Sequence, residues 1–287
     1  MTKLKVLDLF SGIGGFSLGL DRAGGFETVA FCEIESFPRK VLAKHWPEVP
    51  CYEDVTKLTG DILRRDGISV DVITGGFPCQ DISVAGKQAG IGEGTRSGLW
   101  SEIVRLIGEL APRYVIVENV AALLSGPSEQ RGGWFGSILG DLAECGYDAE
   151  WENIPAAAVG APHRRERVWI VAYPNGSRQQ QGNQKVAQQE TKQSDRTGFY
   201  AQNVADASKC KLKRRTKKQV FRFSDISGEF RRSREDFGVV WTTEPDVGRV
   251  VDGFSGRVDR LKGLGNAVVP QIPELIGRAI MEAEGMP

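Results

Sequence analysis

The first 173 residues of this 287-residue chain alternate short β-like apolar runs with segments that have a helical pattern. The runs are strand-length, and turn residues or helical stretches separate them. Strands that alternate with helices predict an α/β fold, with a mostly parallel sheet that is covered on both faces. The predicted strands are residues 5–10, 27–32, a short one near Cys51, 70–74, 114–118, 148–155 and 167–173.

Two helices can be predicted from apolar residues that recur every three or four positions. One begins after Gly98 and ends before Pro112, and the other begins at Gln271 and would bring the end of the chain back to the sheet. The apolar positions are Leu99, Ile103, Leu106, Ile107 and Leu110 in the first helix, and Ile272, Leu275, Ile276 and Ile280 in the second.

A glycine-rich turn follows the first predicted strand, at the edge where such sheets bind ligands. It reads Asp8-Leu-Phe-Ser-Gly-Ile-Gly-Gly-Phe16. Glycines there let the backbone approach a ligand closely, and the free amides of a helix start attract anions. It is not the dinucleotide fingerprint, because Ser17 replaces the third glycine. Glu33 and Asp54 end the next two strands, where they are either acceptors for ribose hydroxyls and an adenine amino group or ordinary solvated carboxylates.

A cysteine follows the fourth predicted strand in the loop Gly75-Gly-Phe-Pro-Cys-Gln-Asp-Ile-Ser83. It is either a nucleophile or a small buried apolar residue. Glu118 closes the fifth strand and can donate a proton if burial raises its pKa. Asn119 is expected to hold the loop by backbone hydrogen bonds. Arg165 and Arg167 precede the last strand on one face, and from the pattern alone a solvated edge is the preferred interpretation.

Taken together and in this order, these motifs resemble the DNA (cytosine-5)-methyltransferase family of bacterial and phage restriction–modification systems. Gly265-Asn266-Ala267-Val268-Val269-Pro270 completes the series, and the resemblance covers residues 4 to about 174 and 262–280. It implies a Rossmann-like, S-adenosylmethionine-dependent methyltransferase fold with a small variable target-recognition region. It also implies methyl transfer to C5 of a flipped-out cytosine in a specific double-stranded DNA sequence.

The same resemblance implies roles for single residues. Cys79 would attack C6 of the base, and Glu118 would stabilise charge at N3 as a proton donor. Arg167 would contact the cytosine O2, and Arg165 would neighbour Cys79 and Glu118. The residues implied to bind S-adenosylmethionine, whose product is S-adenosylhomocysteine, are Phe10, Gly12, Ile13, Gly14, Gly15, Glu33, Ile34, Asp54, Val55, Pro78, Leu99, Asn266 and Val268.

A polar, basic insertion interrupts the alternating pattern after Pro174. Residues 175–236 carry 15 Lys and Arg against 7 Asp and Glu, although the whole chain has a net charge of zero. Such a segment either contacts DNA phosphates or forms a solvated charge-rich loop. Its Gln-rich part predicts a loop, and Val220-Phe-Arg-Phe223 predicts a short strand. The residues expected to contact DNA are Gln80, Ser83, Lys211, Lys213, Arg214 and Arg215.

These patterns predict three regions: a catalytic and cofactor-binding domain over residues 1–173, a partly disordered recognition insertion over 174–248, and a C-terminal segment over 249–287 that returns to the catalytic domain. Five cysteines and two histidines show no metal-ligand spacing, so no metal is expected. Nothing resembles a signal peptide or a membrane span. We therefore expect a monomeric cytoplasmic protein that associates with the nucleoid, with a separately acting restriction endonuclease as a candidate partner.

Two other functions stay open at this point. One is cytosine-5 methylation of structured RNA, and the other is a non-enzymatic, cofactor-binding protein associated with DNA. The basic insertion favours DNA over RNA. The joint presence of Cys79, Glu118, Arg165 and Arg167 argues against the non-enzymatic alternative.

Overall fold

The computed structural model describes residues 2–78, 99–125, 133–176, 221–224 and 263–286. The strands are β1 (Leu4–Leu9), β2 (Phe26–Cys32), β3 (Cys51–Tyr52), β4 (Val72–Gly75), β5 (Tyr114–Val120), β6 (Tyr147–Pro155) and β7 (Glu166–Pro174). The main helices are α1 (Gly15–Ala23), α2 (Ser36–His45), α3 (Gly60–Arg65), α4 (Trp100–Leu110), α5 (Gly133–Glu144) and α6 (Gln271–Glu284), and short 3-10 helices lie at Ala121–Ser125 and Ala156–Val159. No helix in these ranges is both long and apolar enough to cross a membrane.

The seven strands form one sheet in the order β3-β2-β1-β4-β5-β7-β6. The pairs from β3 to β5 are parallel, whereas β7 runs antiparallel to both of its neighbours. Each of the seven strands predicted within residues 1–173 is present, with bounds within two residues of the prediction. The predicted α/β class with a mostly parallel sheet is confirmed. The strand order reverses between β1 and β4, which is where open α/β sheets place their ligands.

Side chains of successive strand residues enter two different cores, one on each face of the sheet. In β1, Leu7 and Leu9 belong to the core that α3, α4 and α5 cover. Leu4 and Val6 belong to the opposite core, which α1 and α6 cover. Both faces are therefore sealed by helices, and the carboxyl ends of the strands are left for a site.

The C-terminal helix α6 packs closely against α1. The predicted helix and its four buried apolar positions are confirmed. A Cβ atom at Gly19 would lie 2.3 Å from the Pro270 carbonyl oxygen, and one at Gly277 would lie 2.8 Å from the Ala23 Cβ. Because both positions lack a Cβ, the helices can approach, and the segment before α6 is held beside the glycine turn after β1.

The predicted strand at residues 220–223 is wrong for the residues that the structure describes. Residues 221–222 are not in a strand, and 223–224 are helical. Phe221 and Phe223 are both buried in the core under α1 and α6, with ring centroids 5.1 Å apart in a T-shaped arrangement. The Phe223 amide donates to the Glu150 carboxylate at 3.0 Å. The alternate burial of these residues therefore does not come from a strand. The Gln-rich loop and the basic run lie outside the described residues.

Candidate active site

A pocket of about 550 Å³ opens at the carboxyl ends of the strands. This volume is in the range of sites that bind small molecules. Loops after β1, β2, β3 and β4 line one half of the pocket. The end of β5, the start of β7 and the segment before α6 line the other half. The two halves are called the cofactor half and the base half below.

Nine of the predicted cofactor residues line this pocket: Phe10, Gly12, Glu33, Ile34, Asp54, Val55, Pro78, Leu99 and Asn266. The other four, Ile13, Gly14, Gly15 and Val268, are not among its lining residues. A Cβ atom at Gly15 would lie 2.6 Å from the Val268 carbonyl oxygen, so these two residues pack together behind the wall. Their place is structural support for the turn.

The glycine turn holds a buried carboxylate at the pocket wall. Phe10, Gly12 and Gly14 all have positive φ angles, of 53°, 52° and 86°, so the chain turns sharply between β1 and α1. The Gly12 amide donates to Glu33 Oε2 at 2.8 Å, and the Glu35 amide donates to Glu33 Oε1 at 2.7 Å. Each carboxylate oxygen can accept a further hydrogen bond. Glu33 is therefore fixed as an acceptor in the cofactor half.

Asp54 lies two residues after β3 and is kept ionised by its own loop. The amide and the hydroxyl of Thr56 donate to Asp54 Oδ1 at 3.0 and 2.7 Å. These hydrogen bonds lower the pKa of Asp54 below its ordinary value. Cys32 in the same wall behaves differently, because burial raises the pKa of its thiol to about 12. The cofactor half therefore offers carboxylate acceptors, and Cys32 is a neutral wall residue there.

Glu118 is the largely buried acid of the base half, with 13% of its side chain exposed. The Arg167 Nε lies 3.0 Å from Glu118 Oε1. This ion pair joins β5 to β7. Burial raises the pKa of Glu118, and the charges of Arg167 and Arg165 only partly oppose this. A Cβ atom at Gly76 would lie 3.5 Å from Glu118 Oε2. The acid therefore faces the chain segment that leads to Cys79.

Arg165 contacts the backbone of the C-terminal segment. Its guanidinium donates to the carbonyl oxygens of Gly265 and Ala267, both at 2.7 Å. Arg165 has a φ of 34°, so it lies just outside the extended start of β7. These contacts hold Asn266 at the pocket, and the sequence pattern carried no signal for them because the partners are 100 residues away or more.

Asn119 ties the end of β5 to the loop after β4, as predicted. Its side-chain amide donates to the Phe77 carbonyl oxygen at 3.2 Å, and its oxygen accepts from the Val120 amide at 2.9 Å. Asn119 is buried, so both bonds are shielded from water. The predicted site residues that lie outside the described part of the chain are Cys79, Gln80, Ser83, Lys211, Lys213, Arg214 and Arg215.

Sequence reasoning missed part of the pocket wall and one buried acid. Phe37 and Pro38 line the pocket from the first turn of α2. The sequence feature that could have identified these two residues is their position shortly after the end of β2.

Asp8 is fully buried and accepts hydrogen bonds from the Ser17 and Thr74 hydroxyls, both at 2.8 Å. Burial raises the pKa of Asp8 to about 7. The sequence feature that could have identified Asp8 as a buried acid is its place among the apolar residues of β1.

This strand order, the antiparallel β7 and the pocket beyond β1 and β4 define the class of Rossmann-like S-adenosylmethionine-dependent methyltransferases. The family model described as C-5 cytosine-specific DNA methylase matches residues 4–240. The chain belongs to this family.

Curated and structurally known relatives support the same grouping. The Type II methyltransferase M.Sau3AI of Staphylococcus aureus is 37% identical in an alignment of 188 residues that covers 60% of this chain and 44% of that protein. The Type II methyltransferase M2.BsuMI of Bacillus subtilis is 36% identical over 173 residues, covering 59% and 42%. A crystal structure of a candidate DNA modification methyltransferase encoded within an E. coli prophage superposes with a TM-score of 0.51 and 29% identity, covering 61% of this chain and 48% of that chain. The chain thus spans less than half the length of these relatives.

Proposed function

We propose that this protein transfers a methyl group from S-adenosylmethionine to C5 of cytosine in a specific double-stranded DNA sequence, through a covalent bond between Cys79 and C6. One observation carries the proposal. A largely buried acid, Glu118, held 3.0 Å from the Arg167 Nε, lines the same pocket as Asp54, which the amide and hydroxyl of Thr56 hold as an ionised acceptor. Burial raises the pKa of Glu118, so the first acid suits proton donation and the second suits acceptance of a hydrogen bond.

The cofactor half fits S-adenosylmethionine. Glu33 would accept hydrogen bonds from the ribose hydroxyls, and Asp54 would accept one from the adenine amino group. Ile34, Pro78 and Leu99 supply apolar wall. The cofactor, when bound, supplies an electrophilic methyl group and leaves as S-adenosylhomocysteine.

The base half fits a flipped-out cytosine. Cytosine C5 is a poor nucleophile, so the Cys79 thiolate adds to C6. The electron pair of the C5–C6 double bond then forms a C4–C5 double bond, and the pair of the C4–N3 double bond moves to N3, which takes a proton from Glu118. C5 is then part of an enamine and can attack the electrophilic methyl group. Transfer of the C5 proton to solvent re-forms the C5–C6 double bond and expels the thiolate, and N3 returns its proton to Glu118. Arg167, paired with Glu118, would contact the cytosine O2.

Binding of duplex DNA is assigned to the insertion and the Cys79 loop. The base must leave the stack before Cys79 can reach it, at a cost of a few kcal/mol. Residues 174–248 would supply recognition and phosphate contacts, with Gln80 and Ser83 near the base. In the restriction–modification setting that the family suggests, the protein would act as a monomer on nucleoid DNA in the cytoplasm, and a separate endonuclease would cut the unmodified sequence.

Expression of the chain in a methylation-free host, followed by base-resolution mapping of 5-methylcytosine, tests this function. One recurring methylated DNA motif is the expected result, and a Cys79→Ser chain should leave the same DNA unmodified. Modified cytosine found only in RNA would transfer the proposal to an RNA substrate. Folded protein with no modified cytosine in either nucleic acid would overturn it.

A further inference from the structure

Arg105 on α4 binds the backbone of the loop that forms one wall of the cofactor half. Its Nη2 atom lies 3.0 Å from the Val55 carbonyl oxygen and 2.8 Å from that of Leu58. Val55 and the preceding Asp54 line the pocket, whereas Arg105 is not among the lining residues. Any effect of Arg105 on a bound ligand must therefore act through this loop.

The guanidinium of Arg105 is itself held in place from α4. Its Nε donates to Glu102 Oε2 at 2.9 Å, and its Nη1 donates to Glu109 Oε1 at 2.8 Å. The second oxygen of Glu109 accepts from the Gly60 amide at 2.6 Å, at the start of α3. The loop between β3 and α3 is thus bound at Val55, Leu58 and Gly60 by one rigid group of side chains.

The other hydrogen bonds of the loop are local, and Val55 and Leu58 are also buried in the core. Inside the loop, the Lys57 and Leu58 amides donate to the Asp54 carbonyl oxygen, both at 3.1 Å. The carbonyl groups of Val55 and Leu58 take their hydrogen bonds from Arg105. A planar fork with five N–H donors can bind these two carbonyls and two carboxylates together, whereas a lysine ammonium has three donors on one atom.

The same helix also follows another part of the pocket wall. Leu99, which lines the pocket, immediately precedes the first residue of α4, Trp100. Arg105 therefore connects the Asp54–Val55 edge to the helix that begins beside Leu99. A shift of this loop relative to α4 would move Asp54 relative to Leu99 and to a ligand in the pocket.

We propose that Arg105, with Glu102 and Glu109, is a positioning residue that gives the cofactor pocket its selectivity for the adenine amino group. The inference rests on the proposed function, because Asp54 is the expected acceptor for that group. Without the clamp, only the local hydrogen bonds and the packing of Val55 and Leu58 hold the loop. Asp54 then shifts relative to the purine, and the preference for an amino group over a carbonyl oxygen falls. A clamp that served only general stability would leave this preference unchanged.

The test compares the binding of S-adenosylhomocysteine with that of its hypoxanthine analogue, in which oxygen replaces the 6-amino group, by calorimetry on the full chain. Wild type should prefer the adenine compound, and Arg105→Met should reduce this preference about tenfold or more. Arg105→Lys keeps the charge without the fork, so it should also lose most of the preference. The matched control is Arg278→Met, which removes a pair between an arginine and a glutamate within α6, away from the pocket. It should keep the wild-type preference.

The outcomes separate the two proposals. If wild type binds neither compound, the proposed function fails. If wild type prefers adenine and both folded Arg105 variants keep that preference, the clamp is overturned while the proposed function stands. A wild type that binds both compounds equally also overturns the clamp. Thermal unfolding followed by circular dichroism establishes that each variant is folded, and Arg105→Lys supplies the answer if Arg105→Met does not fold.

Discussion

The two halves of the pocket use carboxyl groups in opposite ways. In the cofactor half, hydrogen bonds from Thr56 lower the pKa of Asp54, which keeps it an ionised acceptor. In the base half, burial raises the pKa of Glu118 although Arg167 lies 3.0 Å away. Both acids lie just beyond or at the carboxyl ends of strands in one sheet. The surroundings of each acid, and not its residue type, decide whether it suits acceptance of a hydrogen bond as a carboxylate or donation of a proton.

The halves also differ in how the chain assembles them. The turn after β1 and Glu33 after β2 come from one β-α-β unit, so the cofactor half forms from neighbouring segments. The base half needs β7, which lies between β5 and β6 in the sheet and antiparallel to both. It also needs the segment around Gly265, which Arg165 binds. The base half therefore depends on long-range contacts, and changes there should affect the chemistry more than cofactor binding.

The largest expected effect is on the methylation rate when Glu118 is changed, and it distinguishes the base half from the cofactor half. Glu118→Gln keeps the size of the side chain but removes its acidic proton, so single-turnover methylation should slow by a factor of about 10²–10⁴. Calorimetric affinity for S-adenosylhomocysteine should change little, because the acid belongs to the base half. A variant that methylates normally, or that loses cofactor binding to the same extent, would contradict the division.

A second prediction concerns Asp8, a buried acid that the hydroxyls of Ser17 and Thr74 contact. Its pKa is 3.8 as an ordinary aspartate and about 7 in the fold. The folded state therefore binds the extra proton between these values, and the free energy of unfolding should fall by about 1.4 kcal/mol per pH unit as pH rises from 4 to 7, then level off. Asp8→Asn should remove this contribution.

Urea unfolding of both proteins at pH 5, 6, 7 and 8 measures the difference. The stability of Asp8→Asn relative to wild type should rise by about 3 kcal/mol between pH 5 and pH 8. Parallel curves for the two proteins would show that Asp8 does not titrate in this range. That result would mean that burial does not raise the pKa of Asp8 into this range.

A smaller effect is expected at Glu33. Glu33→Ala removes a charge-assisted acceptor and should weaken binding of S-adenosylmethionine by about 1.5–3 kcal/mol. DNA affinity measured without cofactor should hardly change. Glu27→Ala, an exposed glutamate on the same strand, is the matched control and should bind normally. Unchanged cofactor affinity in Glu33→Ala would remove this residue from the cofactor half.

The smallest effect per contact is expected on DNA binding, from the basic side chains at residues 211–215 of the insertion. Neutralising Lys211, Lys213, Arg214 and Arg215 together should flatten the salt dependence of DNA binding by up to about 0.9 logarithmic unit per lost phosphate contact. Cofactor affinity should stay the same. Binding isotherms at several salt concentrations provide the slope, and an identical slope would mean that these residues are a solvated run.

The strands and the helix α6 could be predicted from the sequence because their apolar patterns are local and strong. The same is true of Glu33 and Asp54, whose position at strand ends follows from the α/β class. The strand prediction failed at Phe221 and Phe223, because two aromatic residues at alternate positions look the same in a sequence whether they are buried from a strand or from a segment outside any strand.

The contacts of single arginines could not be predicted. Arg165 binds carbonyl groups 100 and 102 residues away, and Arg105 binds carbonyl groups about 50 residues away. A backbone carbonyl has no residue-specific signature, so no motif marks it as a partner. The raised pKa of Glu118 likewise depends on burial that only the packed sheet provides.

Covalent trapping tests the central claim most directly, because it requires both halves of the pocket at once. DNA that carries 5-fluorocytosine at the target should form a stable protein–DNA adduct, since fluorine at C5 cannot leave as a proton does. The adduct should require S-adenosylmethionine and the correct recognition sequence, survive denaturing electrophoresis, and be absent with Cys79→Ser. Cofactor-dependent methylation by the Cys79→Ser protein at the normal rate would contradict the account.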